Sequence, residues 1–187
     1  MKTVNAYQFN ELPEATQEKI LNDFDTDELW DHKDTINMMK EVLEHIGLED
    51  IEIQYSGFWS QGDGLSFTAE VTDPKRFLEY IGAPQFSEDF TDALDISFWR
   101  VSHTTCHERS CSSSVDYTFL TSETQSEWDS GIMLLQQMVE DWRLKECKRL
   151  YSQMERAYES STCDDAVVDY FEANEYHFLE DGTRVKV

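Results

Sequence analysis

Apolar residues recur along this chain with two different periods, and the switches between them mark out its elements. Ala15, Ile20, Leu21 and Phe24 follow Pro13 at helical spacing and predict a short helix over 13–22. Ile36, Met39, Leu43 and Ile46 recur every three or four residues and predict a second helix over about 27–46. Asp25 with Glu28 resembles a capping box at its start, and Gly47 stops it. The period then becomes two. Ile51, Ile53 and Tyr55, and later Leu65, Phe67, Ala69 and Val71, alternate with polar residues and predict two antiparallel strands, near 50–58 and 65–71. Asp73-Pro74 caps a helix that carries Phe77, Leu78 and Ile81 and stops at Gly82.

A second strand pair is expected near 93–102 and 110–120. Leu94, Ile96 and Phe98 share one face there, and Val115, Tyr117 and Phe119 return. From about 126 to 159, Ile132, Leu135, Met138, Val139, Trp142, Leu150 and Met154 fit a long amphipathic helix with room for one break. Thr162 and Asp165 cap a last helix over 163–174, and Glu180-Asp181-Gly182 turns into a polar tail. Strands that come in hairpin pairs, with helices apart from them, predict an α+β fold with a four-stranded antiparallel sheet packed against helices. One domain is expected, with a helical part over 1–47, a sheet part over 48–122 and a helical part over 123–187. Only 7 Gly and 3 Pro argue against a flexible linker.

Composition adds a strong constraint. The chain holds 39 Asp and Glu against 15 Lys and Arg, a formal net charge of -24 in 187 residues. Such a surface repels nucleic acid and anionic membranes and attracts basic proteins. Hydrophobic residues at 40% and aromatics at 13% supply a core, so this is a folded acidic domain and not an acidic tail. No apolar run is long enough to span a bilayer, and the opening MKTVNAYQFNELPEATQEK lacks a secretory apolar stretch. A cytoplasmic protein follows as the expectation, with Cys106, Cys111, Cys147 and Cys163 as reduced thiols.

The charge is unevenly spread. Residues 11–31 hold Glu11, Glu14, Glu18, Asp23, Asp25, Asp27, Glu28 and Asp31 against Lys19. Arg143, Lys145, Lys148, Arg149 and Arg156 gather on the long helix. They are either internal partners for acidic neighbours or one pole of a polarised surface. Duplex DNA carries one charge per about 1.7 Å of axis, so the net charge corresponds to roughly 40 Å of duplex. That is about the diameter of a compact domain of this length. DNA mimicry is therefore numerically possible if much of the charge shares one face.

Two stretches carry candidate chemistry. SGFWSQGDG lacks the Lys-Ser/Thr ending of a phosphate loop, and Asp63 would repel a phosphate. It is either a rigid contact loop presenting Phe58, Trp59, Gln61 and Asp63, or a hairpin connection whose aromatics enter the core and whose Asp63 bonds the turn. His103, Cys106, His107 and Cys111 are zinc ligands by type, but adjacent Cys106 and His107 point to opposite faces if the segment, either a hairpin tip or part of the strands, is a strand. No metal or other cofactor is expected. No Gly-x-Ser-x-Gly is present, and Cys106 beside His107 is proximity in sequence only.

The stretches YSGFWSQGDGLSF (55–67), SHTTCHERSCSSSV (102–115, with His107 and Arg109) and LYSQMERAYESSTCDDAVVDYFEANEYHFLEDGTR (150–184), with the opening YQFNELPEATQEKIL, run in one order over most of the chain. They resemble a family of accessory proteins from tailed phages and prophages, sometimes labelled antitoxin-like. Cys106 departs from the pattern, where an aromatic is expected. The resemblance implies a protein acting on host machinery, including defence systems, from within the host cytoplasm. The expected function is that of a non-enzymatic acidic protein that binds a basic host surface, with Asp23, Asp25, Asp27, Glu28, Phe58, Trp59, Gln61 and Asp63 as contact candidates. Direct nucleic-acid or membrane binding is not expected, and self-association as a homodimer through the long helix remains open. The alternative is an enzyme or metal-dependent protein using His103, Cys106, His107 and Cys111.

Overall fold

The period-two stretches become one antiparallel sheet in the order β1 (Leu48–Tyr55), β2 (Leu65–Val71), β3 (Leu94–Arg100) and β4 (Cys111–Tyr117). This computed structural model describes residues 5–117 and 125–185, and for 125–130 the backbone only. The architecture is α+β, as the pattern predicts. Phe119, expected in the return strand, lies outside the described residues.

Alternation decides which face is apolar. Leu65, Phe67, Ala69 and Val71 of β2 and Leu94, Ile96 and Phe98 of β3 are buried, while Glu70, Asp95 and Trp99 between them are exposed. The apolar face receives α5 (Gln125–Thr162) through Trp142, whose ring lies 6.0, 5.0 and 5.6 Å from those of Phe67, Phe77 and Phe98. Phe77 comes from α3 (Pro74–Tyr80), which Asp73 caps by accepting the Arg76 N–H at 3.0 Å. Burying each such side chain stabilises the fold by about 1.5–3 kcal/mol. α2 (His32–His45) buries Met39 and Leu43, and Gly47 at φ +94° ends it. Gln136 of α5 accepts the Val115 N–H at 2.8 Å and donates to the Ser113 carbonyl at 3.1 Å, so two backbone groups of the edge strand β4 are satisfied by a helix side chain.

Contacts gather into two compact units, residues 33–155 around this sheet, and 1–32 with 156–187. The second unit packs α1 (Glu14–Asp23), the start of the chain and α6 (Asp164–Ala173) around Phe9, Leu12, Ile20, Val167, Phe171 and Phe178. Phe171 stands 5.5 Å from Phe9, 5.0 Å from Phe24 and 5.3 Å from Phe178, ring to ring.

The structure differs from the pattern in five places. The helix expected from 27 starts at His32, because the Asp25 carboxylate accepts the Asp27 N–H and caps a single 3-10 turn, Thr26–Glu28. The long helix runs unbroken to Thr162, with no proline inside it. The Thr162 hydroxyl turns back to the Tyr158 carbonyl at 2.8 Å, so Cys163 and not Thr162 stands at the cap of α6. The short α4 (Glu88–Asp92), capped by Ser87, has too few residues to show a period. Where a polar tail is expected, His177–Phe178 (β5) pairs with Arg184–Val185 (β6) across the Glu180–Gly182 turn.

Candidate functional site

Antiparallel pairing gives the sheet two dissimilar ends. At one end, Glu49 lies directly opposite Glu70, and Asp95 directly opposite Asp116. All four are exposed, and they share with Glu52 the face opposite the helices. Like charges directly opposite each other across strands are destabilising. Among the described residues none of these four takes part in an ion pair, whereas Arg143 and Arg149 of the long helix α5 are paired within it, with Glu140 and Glu146. Glu146 is the one buried acid among the described residues.

The other end carries both connecting loops. Gly64 brings them together. A Cβ there would stand 2.7 Å from Cβ and 2.8 Å from Cα of His107, so only glycine admits this approach. Asp63 accepts the Ser60 N–H at 2.7 Å and holds its own turn. Phe58 lies 5.8 Å from both Tyr55 and Tyr151, and the Tyr151 hydroxyl donates to the Gly57 carbonyl at 3.2 Å. Phe58 is therefore partly a packing residue. Gln61 is exposed, and Trp59 is 66% exposed at φ +66°, a conformation unusual for a bulky side chain. Of this loop, Trp59 and Gln61 are the side chains most available to a partner.

Asp23, Asp25, Asp27 and Glu28 are all exposed and close in sequence, in the unit that holds both termini. Asp23 is the last residue of α1, where no basic residue offsets the negative end of the helix dipole. It borders a shallow hollow with Lys19, Tyr176 and Arg184.

The His103–Cys111 tract separates. His107 Nδ1 accepts the Arg109 N–H at 3.0 Å, Cys106 Sγ lies 3.7 Å from an Arg100 nitrogen, and His103 is exposed. Cys111 turns inward to Cys147 of α5, at 3.9 Å between sulfurs. Among the described residues no three His, Cys, Asp or Glu side chains gather as a metal would require.

Cys111 and Cys147 are 2% and 1% exposed, beside Arg143 at 2%. Arg143 Nε donates to Glu140 at 2.8 Å and Nη2 to the other oxygen of that carboxylate, while Nη1 reaches the Glu108 carbonyl and lies 3.1 Å from Cys111 Sγ. The Cys147 hydrogen bond, helped by the Arg143 charge against the cost of burial, lowers the Cys111 pKa from 9.0 to about 6. The same hydrogen bond and burial raise that of Cys147. The pair thus gives up one proton more easily than a free thiol and the other less easily, and Cys111 is the sulfur beside the guanidinium. The Glu140 carboxyl is held below its usual value by Arg143.

The sequence leaves Arg143 open between an internal ion-pair partner and one pole of a polarised surface, and marks Cys147 only as a reduced thiol. Spacing was the available signal. Val139, Arg143, Cys147, Leu150 and Met154 fall every three or four residues and are all buried, so Arg143 sits at a position of the apolar stripe. The four sheet acids carry no comparable signal, because only register puts them opposite one another.

The fold and these surfaces define an α+β protein with an acid-edged sheet and a buried dithiol beside an arginine. The chain belongs to the family described as a domain of unknown function (DUF8835), whose model matches residues 30–164 and so spans the whole sheet unit. No curated protein and no solved structure matches it. No helix among the described residues is long and apolar enough to cross a membrane.

Proposed function

We propose that this is a non-enzymatic binding protein whose carboxylate surface occupies a basic, nucleic-acid-binding surface of another protein. The observation that carries this reading is the pair of cross-strand acid contacts, Glu49 with Glu70 and Asp95 with Asp116. The arrangement opposes folding and has no compensating cation among the described residues. A partner's Lys and Arg would supply the missing charge. Adjacent strands lie about 4.8 Å apart, a spacing comparable to the 3.4 Å of axis per phosphate on one DNA strand. The resemblance of three stretches to tailed-phage accessory proteins points to a host protein as the partner, a defence protein among the possibilities.

The test is capture of host proteins on the immobilised chain, with duplex DNA as competitor. Retained proteins are expected to be basic, to bind nucleic acid, and to be displaced both by duplex DNA and by high salt. Retention that neither duplex DNA nor salt disturbs would refute the reading.

A further inference from the structure

The buried pair of thiols has no part in the proposed docking. Its geometry is that of a reduced redox couple. The two sulfurs meet at 3.9 Å although Cys111 begins β4 and Cys147 lies within α5, 36 positions away in sequence. Arg143 Nη1 stands 3.1 Å from Cys111 Sγ and stabilises negative charge at that sulfur. A cation 2% exposed beside a hydrogen-bonded thiol pair is a costly arrangement for a core that a Val or Ala pair could fill. We propose that Cys111 and Cys147 form a modification site, a dithiol that hydrogen peroxide closes to a disulfide joining β4 to α5.

The steps balance. Cys111 thiolate attacks one peroxide oxygen, the O–O bond breaks, and Cys111 becomes a sulfenic acid as hydroxide leaves. That hydroxide takes the Cys147 proton and becomes water. Cys147 thiolate then attacks Cys111 sulfur, the S–O bond breaks and a second hydroxide departs. The two sulfurs together lose two electrons, both taken by the peroxide. Closing from 3.9 Å to a bond of about 2.05 Å asks about 1.9 Å of movement, shared between two side chains. Arg143 then faces a neutral sulfur and keeps Glu140 as its anion. The oxidant must be small, because both thiols are buried, and peroxide is. A thiol reductant restores the pair by exchange.

Accessibility alone makes the opposite forecast. Cys163 is the exposed cysteine and Cys106 the half-buried one. The full chain, fully reduced, is treated with hydrogen peroxide, and its tryptic peptides are followed by mass. The expected result is a linked Cys111–Cys147 peptide pair, lighter by two hydrogens, that appears before Cys163 oxidises and is reversed by dithiothreitol. It should persist in a Cys106→Ser, Cys163→Ser chain. Cys147→Ser should stop at a sulfenic acid on Cys111 that dimedone traps, and Cys111→Ser should form neither product. First oxidation at Cys163 or Cys106 with Cys111 and Cys147 unlinked, or a bridge between Cys106 and either buried thiol, would overturn the proposal. The wild-type peptide map decides it even if a variant folds poorly.

Discussion

At the scale of single residues, two positions carry effects that chemistry alone would not suggest. Gly64 adopts no unusual backbone conformation and is required for space, because a Cβ would meet the His107 backbone. Gly64→Ala is expected to destabilise the chain by about 1–3 kcal/mol, the usual cost of overpacking, read from its urea midpoint. Cys111 gives a pH dependence. Its folded pKa, about 6, lies below the value of 9.0 it has when unfolded, so the folded state binds fewer protons between these values and stability rises with pH there. The contribution is complete above about pH 9 and is lost as pH falls towards 6. Cys147 acts oppositely. Its raised pKa removes stability once the pH passes the unfolded value of 9.0. Cys147, Arg143 and Glu140 are the charged or titratable groups around Cys111, with Arg100 opposite it in the sheet register. The stability gap between wild type and Cys111→Ser should therefore widen from pH 6 to 9. A gap constant over that range would show that Cys111 remains a thiol.

At the scale of elements, the sheet trades stability for charge. Neutralising Asp95 and Asp116 to Asn, or Glu49 and Glu70 to Gln, should raise stability by roughly 0.2–1 kcal/mol per pair. The same changes should slow association with a basic partner. Both signs are needed. A variant that becomes less stable would mean that these carboxylates are structural, and one that binds as fast as wild type would remove them from the interface. Strand β2 was readable to the residue because its alternation is unbroken, Leu65 to Val71. The start of α2 was not, because Asp25 reads as a cap in sequence without showing which kind of turn it closes.

At the scale of the whole molecule, the net charge of -24 sets the encounter. Association with a basic protein should slow as salt rises and the Debye length falls from about 10 to 3 Å. Reversing Asp23, Asp25, Asp27 and Glu28 together should slow it further while leaving the chain folded, since all four are exposed. An association rate flat across that salt range would leave apolar docking through the exposed Trp59 as the better account.

Periodicity and composition determined the class, the strand pairs and the acidic character, because burial imposes period two on a strand and three to four on a helix, and charge is a sum over residues. The acidic face, the loop junction and the dithiol were decided only by tertiary structure. Asp95 meets Asp116 through strand register, Gly64 meets His107 through the approach of two loops, and Cys111 meets Cys147 through the seating of α5 on the sheet. Each joins residues far apart in the chain, and local sequence carries no term for a distance that only folding creates.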